Sequence, residues 1–223
     1  TFLKQTAAKM LPDGYIVDYA GVSRQFVQES SGFAVLIGFA LVIIFLALAA
    51  LFESFRDPII ILISVPMSIL GALAGMHIVN GLGVFYPTVM QFAGATMNIY
   101  TVVGIVTLIG LISKHGILIV DVANRLQREG HSKREAIELA AGIRLRPILM
   151  TTAAMVLGVV PLLYATGAGA VARFAMGLVI FSGMSVGTLF TLFVVPTFYL
   201  MIATDHSAAR SRVQAQQALG VAE

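Results

Sequence analysis

NIYTVVGIVTLIGLISKHGILIVDVAN, residues 98–124, is an apolar run that carries a lysine, Lys114, well inside it. As an α-helix the run would be about 40 Å long, and a bilayer core requires only about 20 such residues. A lysine near the bilayer centre costs roughly 2.5–3.5 kcal/mol on insertion scales, which chains avoid unless the charge has a partner and a task. Snorkelling to the interface is the alternative, but Asn124 is about 15 Å further along the helix. The run therefore predicts a membrane-spanning helix with a functional lysine.

Polar side chains recur at every seventh position of this run, at Tyr100, Thr107, Lys114 and Asp121. Seven residues are nearly two helical turns, so the four side chains form one stripe that drifts only about 20° per step. Such a stripe should face protein or water rather than lipid. Asp121 is about 10 Å of helical rise from Lys114, too far for a direct salt bridge, and we interpret it as an interfacial carboxylate. We interpret His115 as a packing or polar-lining residue.

The composition indicates an integral membrane protein. Of 223 residues, 58% are hydrophobic and 11% charged, with a mean hydropathy of +0.93, whereas a soluble domain has about 25% charged residues. The chain has no cysteine, which excludes disulfides and thiolate metal ligands. We find no other metal-ligand spacing and no P-loop, so we expect no cofactor or metal, and an ion gradient as the energy source.

Five apolar segments predict an all-α polytopic fold. They lie at about residues 32–52, 58–80, 98–124, 147–166 and 172–203. Glycine pairs four residues apart, Gly71/Gly75 and Gly183/Gly187, predict close helix contacts. Pro66 and Pro161 predict bends in the second and fourth spans.

Polar segments flank the spans. Ser132 followed by Glu135 fits a capping box, which predicts a separate amphipathic cytoplasmic helix at about 132–143. Residues 1–30, with a Pro-Asp-Gly turn and a short β-rich run, predict the tail of an α/β domain. Residues 204–223 predict a cytoplasmic tail. Because the chain begins at Thr1 and opens on the end of a domain, we expect it to be a fragment of a larger protein.

The basic residues predict the orientation. They concentrate in the loops after the first and third spans and after the fifth, which all fall on one side if five helices alternate. They are Arg56, Arg125, Arg128, Lys133, Arg134, Arg144, Arg146, Arg210 and Arg212. Because cytoplasmic loops are enriched in Lys and Arg, we expect a cytoplasmic C-terminus. Membrane topology thus explains the basic pI, and nucleic-acid binding is not needed to account for it.

Two threonines near the start of the fourth span have two interpretations from the residues alone. Hydroxyls such as those of Thr151 and Thr152 often bond to their own helix, and a relay role is the alternative. Arg144 is interpreted as a headgroup anchor. No carboxylate lies deep within the spans, so a partner for Lys114 should come from a helix outside this chain.

Five blocks of this sequence resemble the C-terminal membrane segments of resistance-nodulation-division (RND) efflux transporters, in particular the hydrophobe/amphiphile, AcrB-like branch. They are LAALFESFRDP, ISVPMSILGAL, GLISKHGILIVDVANRLQREG, AIELAAGIRLRPILMTTAAMVLGVVPLL and TGAGA. The likeness covers about residues 10–203. It implies that the five spans are the eighth to twelfth of a twelve-helix pump, and that residues 1–30 end its second periplasmic porter loop.

The resemblance implies a proton-driven drug exporter, a secondary antiporter rather than an enzyme. It implies a homotrimer in the bacterial inner membrane that works with a periplasmic adaptor and an outer-membrane channel. In that family a lysine of the tenth helix pairs with an aspartate pair of the fourth, and a threonine and an arginine belong to the same proton relay. These match Lys114, Thr151 and Arg144, whereas the aspartates are outside this chain. The heavy-metal branch usually lacks this lysine, which favours drugs over metal ions.

Two alternatives stay open. A related exporter or lipid carrier could share the bundle and move another cargo, and only the porter domains would discriminate. A non-transporting membrane module would tolerate methionine at Lys114, but the polar stripe counts against it. A membrane enzyme is least favoured, because we find no nucleophile–base or metal constellation.

Overall fold

The computed structural model describes residues 22–85 and 98–204, and nearly all of these residues are helical. The helices are α1 (Val22–Phe52), α2 (Arg56–Leu62), α3 (Ser64–Phe85), α4 (Ile99–Glu129), α5 (Lys133–Leu163) and α6 (Ala170–Ile202). Within these two ranges, five spans are long and apolar enough to cross a membrane, with α2 and α3 together forming one of them. The predicted all-α polytopic class is confirmed. Most of the predicted porter-domain tail, with its short strand, and the tail after Thr204 lie outside the described residues, so the domain assignment stays a prediction.

Helix α4 is delimited by local signals at both ends. The Asn98 side chain accepts a hydrogen bond from the Thr101 backbone N–H at 2.9 Å, which satisfies one free donor of the first turn. Gly130 ends the helix in the left-handed conformation, with φ of 114°. The helix therefore continues beyond Asn124, into the charged segment.

Helix α5 differs from the prediction of a separate amphipathic helix at 132–143. Ser132 caps it as expected, accepting from the Glu135 N–H at 3.3 Å, but the helix then runs without interruption through Pro147 to Leu163. A proline removes one backbone donor, and membrane bundles tolerate that loss. Pro147 is also exposed, so its ring does not displace packed neighbours. The predicted break is therefore absent.

The second span is interrupted, close to where a bend was predicted. Helices α2 and α3 are separated by the single residue Ile63, whose backbone is still α-helical and whose N–H bonds to the Ile59 carbonyl at 3.1 Å. Pro66 is consequently the third residue of α3, where a backbone N–H would have no partner within that helix. In the fourth span Pro161 lies near the end of α5, which stops at Leu163.

Helix α6 lies at the centre of the bundle and packs against α3, α4 and α5. The α3–α6 contact depends on the two glycine pairs, because a Cβ on Gly71 or Gly187 would lie within 3 Å of a side chain of the facing helix. The predicted close approach is confirmed. Helices α1 and α5 lie at the periphery, since only 6% of the apolar window of each is buried.

Contacts between helices bring the basic segments to one end of the bundle. Asn124, near the end of α4, donates to Asp57, near the start of α2, at 2.8 Å. Lys133 Nζ donates to the Ala203 carbonyl, after α6, at 2.7 Å. Arg173, at the start of α6, bonds instead to the carbonyls of the preceding turn. The loops after the first and third spans and the end of the fifth therefore share one end.

Candidate functional site

The polar stripe of α4 lies on the face that no described helix covers. Tyr100, Thr107, Lys114 and Asp121 are all exposed, whereas the buried residues of α4 lie on its other faces. The Thr107 hydroxyl bonds to the Val103 carbonyl of its own helix at 2.8 Å. The stripe is thus available to something other than these five spans.

Lys114 has no hydrogen-bond or ion-pair partner among the described residues. Asp121 forms no ion pair with it, and the buried carboxylate Asp57 is bound to Asn124 near the far end of α4. The Lys114 ammonium group thus lies on an apolar helix without a counter-charge, and a carboxylate of another helix can pair with it.

The neighbouring residue, His115, lies about 100° further around the helix and is fully buried. Its Nε2 lies 3.4 Å from Thr152 Oγ1 of α5, and its Nδ1 lies 3.4 Å from Thr188 Oγ1 of α6. The two threonine hydroxyls are themselves 3.4 Å apart. We call these three residues the His115 cluster; it joins α4, α5 and α6 through buried polar groups.

The structure does not bring Thr151 or Arg144 into contact with Lys114. The Thr151 hydroxyl donates to its own helix, with the Pro147 and Ile148 carbonyls each at 3.0 Å. Arg144 is half-buried, and its Nε is shielded from solvent without a hydrogen-bond partner in the described part of the chain. A shielded donor of this kind is costly unless an acceptor reaches it. The relay assignment of these residues stays a prediction.

A second buried network lies at the basic end. Tyr199 donates to Asn124 Oδ1 at 2.6 Å and accepts from Gln127 Nε2 at 2.8 Å, while Asn124 donates to Asp57. Neither this network nor Thr188 could be identified from the sequence, because the residues that contact one another are far apart along the chain. In the sequence, Tyr199 and Thr188 are polar residues inside an apolar run, and that pattern does not identify their hydrogen-bond partners.

The described residues thus form a polytopic helical membrane bundle with an unpaired lysine on its open face. The family model described as the AcrB/AcrD/AcrF family matches residues 1–203. The chain therefore belongs to this family, and the predicted RND relationship is confirmed.

Individual relatives agree with this assignment. The chain is 53% identical over 206 residues to an uncharacterized transporter of Haemophilus influenzae, covering 92% of this chain and 19% of that protein. It is 38% identical over 210 residues to multidrug resistance protein MdtF of Escherichia coli strain K12, with 94% and 19% coverage. It is 36% identical over 194 residues to the toluene efflux pump membrane transporter TtgB of Pseudomonas putida, with 87% and 17% coverage. The chain spans about a fifth of the length of these curated relatives.

Proposed function

We propose that these residues form part of the membrane domain of a proton-driven efflux pump that exports drugs or other amphiphilic compounds. The observation that carries the proposal is Lys114, a cation without a described partner on the open face of a membrane helix. Family membership adds support, since relatives bear names such as multidrug resistance protein and toluene efflux pump.

In the proposed mechanism Lys114 is the basic half of an ion pair whose carboxylates belong to another helix of the same transporter. While the carboxylates are ionised, they attract the ammonium group across a medium of low dielectric constant. Proton uptake neutralises them and removes the attraction, so the two helices can shift relative to each other. The Thr151 hydroxyl would pass protons along the relay. The Arg144 guanidinium stays protonated and would hold the carboxylates by donating hydrogen bonds, for which its shielded Nε is an available donor.

The charge distribution supports a cytoplasmic location for the basic end of the bundle. Arg56, Arg125 and Arg134 are exposed at or near that end, and cytoplasmic loops carry the excess of Lys and Arg. We propose a multi-pass protein of the bacterial inner membrane with its C-terminus in the cytoplasm. A homotrimer with a periplasmic adaptor and an outer-membrane channel is part of the same proposal.

Substitution of Lys114 tests the proposal. Lys114→Ala in the full-length transporter should abolish drug resistance, because neutral alanine cannot respond to ionisation of the carboxylates. Resistance of a host strain that lacks its own pumps is the assay, with the membrane level and trimer content of the variant measured in parallel. Arg125→Ala is the matched control; it removes an exposed cation of the same helix whose pair with Glu129 contributes roughly 0–1 kcal/mol. Full resistance with alanine or methionine at Lys114 would refute the role of Lys114 in a proton relay.

A further inference from the structure

Two residues of the His115 cluster immediately follow, in the sequence, the two residues that we assign to the relay on α4 and α5. On α4, exposed Lys114 is followed by buried His115, and on α5, half-buried Thr151 is followed by buried Thr152. The contact between His115 and Thr152 therefore joins the positions that immediately follow Lys114 and Thr151. We propose that the His115 cluster is a positioning device that sets the rotation of α4, and thereby the direction of Lys114, relative to α5 and α6. This inference rests on the proposed function.

Helix geometry supports this role. Consecutive residues of an α-helix are about 100° apart around its axis, so a fixed direction for His115 also fixes that of Lys114. Turning Lys114 towards another helix would require the imidazole to leave two hydroxyls on two different helices. A buried polar group that loses a hydrogen-bond partner costs free energy, so the cluster opposes this rotation.

The distances within the His115 cluster indicate weak hydrogen bonds that can break. All three separations in the cluster are 3.4 Å, longer than the 2.7–3.2 Å that is usual for strong hydrogen bonds. Interhelical hydrogen bonds in membrane proteins are also individually weak. A cluster of this strength can define one orientation of α4 and still release the helix when the transporter changes state.

The surroundings of the cluster are nearly free of other charges. No ionisable residue of α6 lies within ten positions of Thr188, and the nearest on α5, Arg146, is exposed and lies six residues, about 9 Å of helical rise, before Thr152. The ionisable side chain of α3, His77, is exposed. The remaining ionisable groups with described side chains on α2, Arg56 and Asp57, lie at the basic end. Lys114 is therefore the cation whose placement the cluster can control.

Chemical labelling of position 114 measures this placement without depending on transport. The chain has no cysteine, so Lys114→Cys introduces a unique thiol here in a full-length transporter whose remaining cysteines are replaced. The labelling rate with N-ethylmaleimide is compared in four backgrounds: His115→Leu, His115→Gln, Thr188→Val and Thr191→Val. Thr191 is the matched control, since it is buried on the same helix but its hydroxyl bonds to its own Gly187 carbonyl at 2.7 Å.

We expect His115→Leu and Thr188→Val to change the labelling rate at least about threefold, the equilibrium effect of one interhelical hydrogen bond. His115→Gln, whose amide keeps a donor and an acceptor, should restore the original rate, and Thr191→Val should leave it unchanged. With Lys114 present, ethidium export should fall in the same two variants at equal membrane levels. Equal labelling rates in Thr188→Val and Thr191→Val would overturn the positioning role even if Lys114→Ala abolishes export. Retained export by Lys114→Ala would instead refute the proposed function.

Discussion

Replacing Tyr199 by phenylalanine tests how strongly the buried network at the basic end holds α4 and α6 together. The side chain is fully buried, and its hydroxyl takes part in hydrogen bonds of 2.6 Å to Asn124 and 2.8 Å to Gln127. Phenylalanine keeps the ring and its packing and removes only the oxygen. The substitution therefore isolates the polar contribution from the apolar one.

The expected magnitude follows from the number of bonds lost. Interhelical side-chain hydrogen bonds in membrane proteins contribute about 0.6 kcal/mol on average and up to about 1.7 kcal/mol. Two such bonds correspond to roughly 1–3 kcal/mol of the free energy of unfolding. For a folding unit of 150–250 residues, each kcal/mol shifts the thermal midpoint by about 2–4 °C.

The assay is heating of the purified full-length transporter in detergent, followed by size-exclusion chromatography of the fraction that stays monodisperse. Tyr164→Phe is the control, because that side chain is 75% exposed beyond the end of α5. We expect a midpoint several degrees lower for Tyr199→Phe and no shift for Tyr164→Phe. Coinciding midpoints for the two variants would show that the network contributes no stability and that burial of the ring alone holds the helices.

Two further substitutions test packing and capping by the same assay. Gly187→Ala would place a Cβ 2.7 Å from Ser68 Cβ and should destabilise the bundle by about 1–3 kcal/mol. The control is Gly158→Ala, which has open space around it and should be neutral or slightly stabilising. Equal thermal midpoints for the two variants would contradict the close α3–α6 approach. Ser132→Ala removes the cap of α5 and should cost about 1 kcal/mol, whereas Ser132→Asp should retain stability. An alanine variant as stable as the aspartate variant would show that the cap is dispensable.

The number of spans and the cap of α5 followed from contiguous residues. Apolar length, small-residue spacing and capping patterns act over a few turns, so they can be read along the chain. The continuity of α5 through Pro147 did not follow, because a proline interrupts a helix or is absorbed by it according to its surroundings. The same holds for the interruption at Ile63, three residues before the proline that signalled a bend.

The residues of the candidate site also differ in whether the sequence alone could identify them. Lys114 could be identified from the chain alone, since a charge inside an apolar run is unfavourable whatever surrounds it. The sequence also indicated that Lys114 required a partner and that the stripe should face protein or water, but not which face of α4 the described helices would leave open. The His115 cluster and the Tyr199 network join residues that are 36 to 75 positions apart, and such contacts depend on how far each helix is rotated and shifted against its neighbours. Rotation and shift are set by the sum of many packing contacts, so the direction in which Lys114 points is a property of the assembled bundle.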